Sequence, residues 1–167
     1  MYVELAERNL LVVGEPGAGK SVALNLIVAH AALSPDCRLV LVDGKRVELG
    51  AWRACAETFV GPSIDDAIDT LRGLRQQMED RYGWLLDHGR RKITRGDEYE
   101  PVLVVFDELA YFSATVGETK QQKEFTGLLR DLVGASCRPG HGNSGGRRSL
   151  ASWRTCRGPG VSIKRWR

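Results

Sequence analysis

Apolar positions along the chain fall into short continuous runs that are separated by longer stretches with helical spacing. The runs Leu10–Val13, Arg38–Val42 and Val102–Phe106 are rich in branched aliphatic residues and predict buried strands. A shorter strand is predicted in the segment "ETFVGP", residues 57–62. Buried strands that alternate with helices predict an α/β fold, with a mostly parallel sheet covered by helices on both faces.

Three helices are predicted between and after these strands. The first runs from Val22 until "SPD", residues 34–36, ends it, and the third runs from about Lys120 to Leu132. Ser63 is predicted to cap the long second helix, with Asp66 in the capping-box position. The second helix has an apolar stripe that we predict to pack in the core: Ile64, Ala67, Ile68, Leu71, Leu74, Met78, Tyr82, Leu85 and Leu86.

The turn between the first strand and the first helix carries the pattern G-x-x-x-x-G-K-[ST]. Its eight residues are Gly14, Glu15, Pro16, Gly17, Ala18, Gly19, Lys20 and Ser21. Glycines let the backbone wrap closely around a polyphosphate, and the N-terminus of the following helix favours an anion. The pattern therefore predicts ATP binding, with Lys20 on the β- and γ-phosphates and Ser21 on Mg²⁺. The alternative is an ordinary glycine-rich turn with an exposed lysine.

A second candidate site follows the strand Val102–Phe106, which ends in two carboxylates. Asp107 is predicted to hold the magnesium ion through water, beside Ser21. Glu108 is predicted to orient and deprotonate the water that attacks the γ-phosphate, which makes it a catalytic candidate together with Lys20. An acidic pair after a strand often only begins a loop, but its combination with the P-loop pattern favours the Walker-B interpretation. A glutamate after the aspartate favours hydrolysis over small-molecule kinase chemistry.

Three blocks in this order resemble the FtsK/SpoIIIE-type DNA translocases, including the actinobacterial versions from conjugative elements: "GEPGAGKS", "LVDGKRVELGAW" and "VFDELAYFSATVG". The middle block is the most diagnostic, and it resembles the family's Asp-Pro-Lys-x-x-Glu-Leu segment with Gly44 in place of proline. The resemblance covers about residues 2–134. It implies a RecA-like P-loop ATPase core that uses ATP and Mg²⁺, assembles as a hexameric ring and moves double-stranded DNA.

Charge divides the chain into two parts. Residues 1–134 carry a net charge of −5 and are interpreted as a partial ATPase domain, whereas residues 135–167 carry +8 and are rich in Gly, Ser and Arg. The resemblance implies a further buried strand after Val133, lying between the P-loop strand and the Walker-B strand, and we find no strand-like run there. We therefore predict an incomplete sheet, and a tail that is disordered because its composition buries little apolar surface.

Two interpretations of the tail remain open. It is a basic DNA-binding segment, with Trp153 and Trp166 suited to base stacking, or it is an out-of-frame translation of GC-rich DNA. Codon degeneracy allows Cys137–Arg148, read one base later, to become A-G-R-A-T-G-I-V-V-A-A, which would restore an apolar strand. The out-of-frame interpretation is favoured.

Other sequence features bear on the cellular location of the protein and on metal binding. No apolar run approaches the length of a membrane span, the N-terminus lacks the features of a signal peptide, and residues 1–5 read as a short strand entered midway. The four cysteines form no C-x-x-C pair and the three histidines are isolated, so we assign no zinc site and predict a reduced, cytoplasmic protein. Intact relatives with a membrane anchor would place it at the cytoplasmic face of the membrane.

The leading hypothesis is thus a fragment of a DNA-pumping ATPase. The alternatives are a P-loop kinase or nucleotide-binding module without a ring or DNA, and a non-functional remnant of the translocase. As an isolated chain it is expected to be at best a weak ATPase. A basic cluster of Arg90, Arg91, Lys92 and Arg95 is interpreted as a solvated loop, with DNA contact as the alternative.

Overall fold

The computed structural model describes residues 9–94, 96–135, 154–158 and 161–165, and it describes side chains within residues 9–134. The described residues form two compact units: residues 9–24 with those from 133 onward, and Asn25–Leu132. The elements in chain order are β1 Leu10–Val13, α1 Lys20–Ala32, β2 Arg38–Asp43, a 3₁₀ helix Gly50–Cys55, β3 Thr58–Val60, α2 Ile64–Asp87, β4 Val102–Asp107, a π-helical turn Tyr111–Thr115, α3 Thr119–Ala135, β5 Arg154–Gly158 and β6 Val161–Arg165.

The larger unit is built on a parallel sheet with the strand order β3-β2-β4. The central strand β2 is buried from Leu39 to Asp43, as expected for a continuous apolar run with neighbours on both sides. Its pairing with β4 is in register from Arg38 opposite Val102 to Asp43 opposite Asp107. The parallel sheet with its helices confirms the predicted α/β fold.

The long helix α2 supplies much of the core of this unit. Ser63 caps it, because its hydroxyl accepts a hydrogen bond of 3.2 Å from the Asp66 amide, as predicted. The core cluster contains Val42, Val60, Ile64, Ala67, Ile68, Leu71, Phe112 and Phe125. The ring of Phe112 stacks on that of Phe125 at 5.4 Å, which joins the π-helical turn to α3.

The apolar stripe of α2 is core only in its first half, so the prediction is wrong for its last turns. Tyr82 is 39% exposed and Leu86 is 81% exposed. The helix has 24 residues and spans about 36 Å, whereas the six-residue strands span only about 20 Å. The end of α2 therefore extends past the sheet that its beginning covers.

The loop after α2 holds its first arginine in place. Arg90 Nη1 donates to Asp97 at 2.6 Å, and the guanidinium lies 5.3 Å from the centre of the Trp84 ring. Arg91 and Lys92 are exposed, and Arg95 lies outside the described residues. Arg90 is thus partly exposed and also bound to neighbours within the chain, and the choice between a solvated loop and DNA contact stays a prediction.

The smaller unit contains an antiparallel sheet with the order β1-β6-β5. Val12 lies opposite Ile163, and Cys156 lies opposite the same residue on the other side of β6. The prediction that the tail has no strands is therefore wrong for residues 154–158 and 161–165. Backbone groups of a strand require partners, and the two short segments supply them, with β-branched residues in both strands.

The remaining tail predictions fall on residues that the structure does not describe. Trp153, Trp166 and the segment 137–148 lie outside the described residues, as do residues 1–5. In the part of the chain that is described, no helix is both long enough and apolar enough to cross a membrane.

Candidate functional site

The P-loop segment lies between β1 and α1 in the smaller unit. Gly17 and Gly19 have φ values of +79° and +82°, a backbone region that glycine adopts without strain. The Ala18 amide bonds to the Glu15 carbonyl at 3.1 Å, which closes the turn. The residues of the sequence pattern therefore form a tight turn that leads directly into α1.

Lys20, the first residue of α1, folds back over this turn. Its ammonium group donates to the Gly14 carbonyl at 2.5 Å and to the Glu15 carbonyl at 3.1 Å. Glu15, Pro16, Gly17 and Gly19 are exposed, so the turn is open to solvent. A cation held by weak carbonyl acceptors over an open helix N-terminus is arranged to accept an anion.

A second set of polar residues lies where β2 and β4 end in the larger unit. Asp43 is fully buried, and its carboxylate accepts three backbone N–H bonds, from Lys45 at 3.0 Å, Arg46 at 2.7 Å and Leu49 at 2.9 Å. Buried carboxylates require such donors. Asp43 thereby fixes the path of residues 44–49, the segment that carried the most diagnostic part of the resemblance.

The packing around Gly44 explains why glycine stands where the family pattern has proline. A Cβ atom at this position, such as a proline would carry, would lie 2.3 Å from Tyr111 Cδ1. Tyr111 belongs to the π-helical turn after β4 and packs edge-on against Phe112 at 5.0 Å. The aromatic ring therefore occupies the space that a side chain at residue 44 would need.

Lys45 and Glu108 form an ion pair beside this contact, with Nζ and Oε2 2.5 Å apart. The hydrogen bond to Glu108 is the main reason why the pKa of Lys45 lies above its ordinary value. Glu108 has a φ of +55°, which is strained for a residue with a side chain. The Glu108 carbonyl accepts a hydrogen bond of 3.0 Å from the Tyr111 amide, so the chain turns directly after β4.

Asp107, the last residue of β4, has a pKa raised above its ordinary value. Burial is the largest cause, and the nearby carboxylates of Asp43, Glu48 and Glu108 add to it, whereas Lys45 opposes it. A divalent cation would relieve this repulsion. A carboxylate oxygen such as that of Asp107 is of the type that Mg²⁺ prefers, and so is the hydroxyl oxygen of Ser21, which belongs to the other unit.

The predicted site residues are divided between the two units. Residues 14–21 belong to the smaller unit, and Asp107 and Glu108 belong to the larger one. Their joint use of one nucleotide and one magnesium ion stays a prediction. Among the described residues, no group of three or more His, Cys, Asp or Glu side chains is arranged to hold a metal ion.

Sequence reasoning missed Asp43, Lys45 and Tyr111 as parts of this arrangement. The signal lies in the block "DGKRVEL", where Asp-Gly at the end of a buried strand suggests a carboxylate that organises a turn. The contact with Glu108 depends on which strands are neighbours and on their register, which a single sequence does not give.

Comparisons with known proteins point to one family. Residues 1–136 match the FtsK/SpoIIIE family. The chain is 34% identical over 113 residues to Protein Tra of Streptomyces lividans, covering 68% of this chain and 18% of that protein. It is 32% identical over 134 aligned positions to the DNA translocase FtsK of Chlorobaculum tepidum, covering 68% and 17% respectively.

The chain thus spans less than a fifth of the length of these two relatives. A further match is the DNA translocase FtsK of Helicobacter pylori, 31% identical over 125 residues, covering 66% of this chain and 14% of that protein. The comparison with solved structures found no match.

Proposed function

The chain belongs to the FtsK/SpoIIIE family of P-loop NTPases, and from this membership we propose that it is the ATP-binding part of a motor that couples ATP hydrolysis to the movement of double-stranded DNA. The observation that carries the proposal is the geometry of the P-loop. Two glycines with positive φ shape the turn, and the Lys20 ammonium group lies over it. The names of the relatives, DNA translocase FtsK and Protein Tra, support the same assignment.

In this proposal residues 14–21 bind the triphosphate of ATP. The backbone N–H groups of the exposed turn and of the first turn of α1 face the phosphate oxygens. Lys20 exchanges its two carbonyl acceptors for the β- and γ-phosphates, which are far stronger partners for an ammonium group. The Ser21 hydroxyl and the Asp107 carboxylate hold Mg²⁺, which neutralises charge on the phosphates when bound.

Glu108 acts as the general base for hydrolysis. Its carboxylate is partly exposed and follows the strand whose last residue is the proposed magnesium ligand. A base in that position can take the proton from a water molecule that attacks the γ-phosphate. The proton then resides on the Glu108 carboxyl until it is released to solvent.

Double-stranded DNA and a second copy of the ATPase domain are the proposed partners. The family membership supports both, with a hexameric ring as the assembly. We also propose a cytoplasmic location, because the proposed substrate, ATP, is found in the cytoplasm. A chain that spans less than a fifth of its relatives is proposed to work within the longer motor protein, and alone to be at best a weak ATPase.

Nucleotide binding is the first test. Wild type should bind ATP in the presence of Mg²⁺, measured by calorimetry, and Lys20→Ala should lose at least about tenfold in affinity because an ammonium–phosphate contact is removed. Lys123→Ala, an exposed lysine on α3, is the matched control and should bind as wild type does. Equal affinity of wild type and Lys20→Ala would reject the phosphate-binding role.

DNA dependence separates a motor from a kinase or a nucleotide-binding module. A phosphate-contacting motor should bind duplex without strong sequence preference, and its affinity should fall steeply as salt is raised from 50 to 200 mM, by about three orders of magnitude if six phosphates are contacted. Duplex should also raise ATP turnover in the intact parent. An affinity that does not respond to ionic strength, together with turnover that ignores DNA, would favour the non-motor alternative.

A further inference from the structure

The two loops that follow β2 and β4 each contain a non-glycine residue with a positive φ. Among the described residues, the non-glycine positions with positive φ are Arg46 and Glu108, one in each of the two loops that follow β2 and β4. Strained backbone of this kind persists only where its surroundings hold it, and it gathers at functional sites. The two strands are neighbours in register to their last residues, so the loops after them lie side by side.

The surroundings that hold the first loop are visible. The buried Asp43 carboxylate accepts the Lys45 and Arg46 amides, so the backbone of Lys45 is fixed although its side chain is 57% exposed. On the other side, Gly44 lies against the Tyr111 ring at a distance that excludes any side chain. The backbone of Lys45 is therefore held by Asp43 and follows a glycine that packs closely against an aromatic ring.

The backbone of Glu108 is held as well, because its carbonyl accepts a hydrogen bond of 3.0 Å from the Tyr111 amide, but this bond does not fix the orientation of the side chain. It is 43% exposed, and a long carboxylate side chain in that setting would sample several rotamers. The contact between Lys45 Nζ and Glu108 Oε2, 2.5 Å, selects one of them. Exposed ion pairs of this type contribute very little to the stability of a fold. The effect expected of this pair is therefore to orient the Glu108 side chain.

We propose that Lys45 is a positioning residue for the proposed general base, and that its ammonium group holds the Glu108 carboxylate in the orientation used for hydrolysis. The inference rests on the proposed function and deepens it, because it gives the "DGKRVEL" block a role in the reaction. Asp43 fixes the backbone of Lys45, and Lys45 orients the Glu108 carboxylate. The raised pKa of Lys45 is consistent with this contact.

The test is a double-mutant cycle on ATP turnover by the full chain, measured with excess enzyme over radiolabelled ATP. Lys45→Ala should lower the single-turnover rate constant by about tenfold to a hundredfold, as expected when a reacting group is misplaced by an ångström or so, and should leave the Kd for ATP within about twofold. Lys45→Arg, which keeps the cation, should recover most of the rate. Lys123→Ala is the control and should keep both values.

The cycle separates positioning from a merely structural role. In the Glu108→Gln background, Lys45→Ala should have almost no further effect, because the group that it orients is already lost. If Lys45→Ala lowers the rate by the same factor with and without Glu108, or if it raises the rate, the inference is overturned while the ATPase function stands. If wild type neither binds nor hydrolyses ATP, the proposed function fails, and the inference fails with it.

Discussion

Asp43 and Asp107 lie opposite each other at the carboxyl ends of the adjacent parallel strands β2 and β4. Both are aspartates, but the surroundings of their carboxylates differ. Asp43 is fully buried and accepts three backbone N–H bonds, whereas burial and neighbouring carboxylates raise the pKa of Asp107. The first carboxylate therefore builds the loop, and the second is the one that a cation would stabilise.

Substitution of Glu108 by glutamine tests its proposed role as general base, because it replaces one carboxylate oxygen by an amide nitrogen. Glu108→Gln should keep ATP affinity within about twofold and reduce turnover by about a hundredfold or more, because the amide can hold a water molecule but cannot take its proton. Binding is measured by calorimetry and turnover by phosphate release. Glu79→Gln, an exposed carboxylate on α2, is the control. Equal turnover by wild type and Glu108→Gln would remove Glu108 from the role of base.

Gly44 and Gly73 form a matched pair for the packing argument. Gly44→Ala places a Cβ atom 2.3 Å from the Tyr111 ring and should destabilise the protein by about 1–3 kcal/mol. Gly73 lies within α2 with nothing within 4 Å of its Cβ position, so Gly73→Ala should stabilise by about 0.5–1 kcal/mol. Urea unfolding measures both. Opposite signs are expected, and a neutral Gly44→Ala would contradict the contact.

Some of the features under test could be predicted from the sequence, and others could not. The three main strands, the cap at Ser63 and the α/β class follow from local patterns, because an apolar run and a capping residue act over a few positions. The Lys45–Glu108 pair joins residues 63 positions apart and depends on strand order. A single sequence carries that information only indirectly, through the acidic residues that end both strands.

The tail shows the limit of composition as a guide. A polar, glycine-rich sequence predicts disorder because it buries little apolar surface, yet strand pairing uses backbone groups that every non-proline residue carries. Thr155, Val161 and Ile163 are β-branched and lie on either side of Gly158. This local pattern of branched residues was the available signal, and the surrounding arginines and glycines obscured it.

The loop after α2 provides a pH test. The hydrogen bond from Arg90 is the main reason why the pKa of Asp97 lies below its ordinary value of 3.8, and the Thr94 amide adds to it. A carboxyl group with a lowered pKa in the folded state stabilises the fold above its unfolded pKa, and this contribution is lost as the pH falls through the folded pKa. Asp97→Asn should therefore be less stable than wild type at pH 7 and pH 5. The difference in urea midpoint should shrink towards pH 3, and a constant difference would assign the effect to packing.

The antiparallel pairing of β1 with β6 connects the P-loop strand to the tail, and it is the feature that sequence reasoning did not anticipate. Because β6 is the middle strand of its sheet, its N–H groups face β1 or β5, and a proline within it removes one donor and disturbs both pairings. Ile163→Pro should therefore raise amide exchange at Leu11 and Val12 by about tenfold or more, measured by NMR, whereas Ile163→Val keeps the donor and should leave exchange nearly unchanged. If β1 is protected equally in both variants, β6 does not hold it, and that result would support the out-of-frame interpretation of the tail. If protection is lost in the proline variant alone, residues 161–165 contribute real structure next to the P-loop strand, and ATP affinity should fall with them.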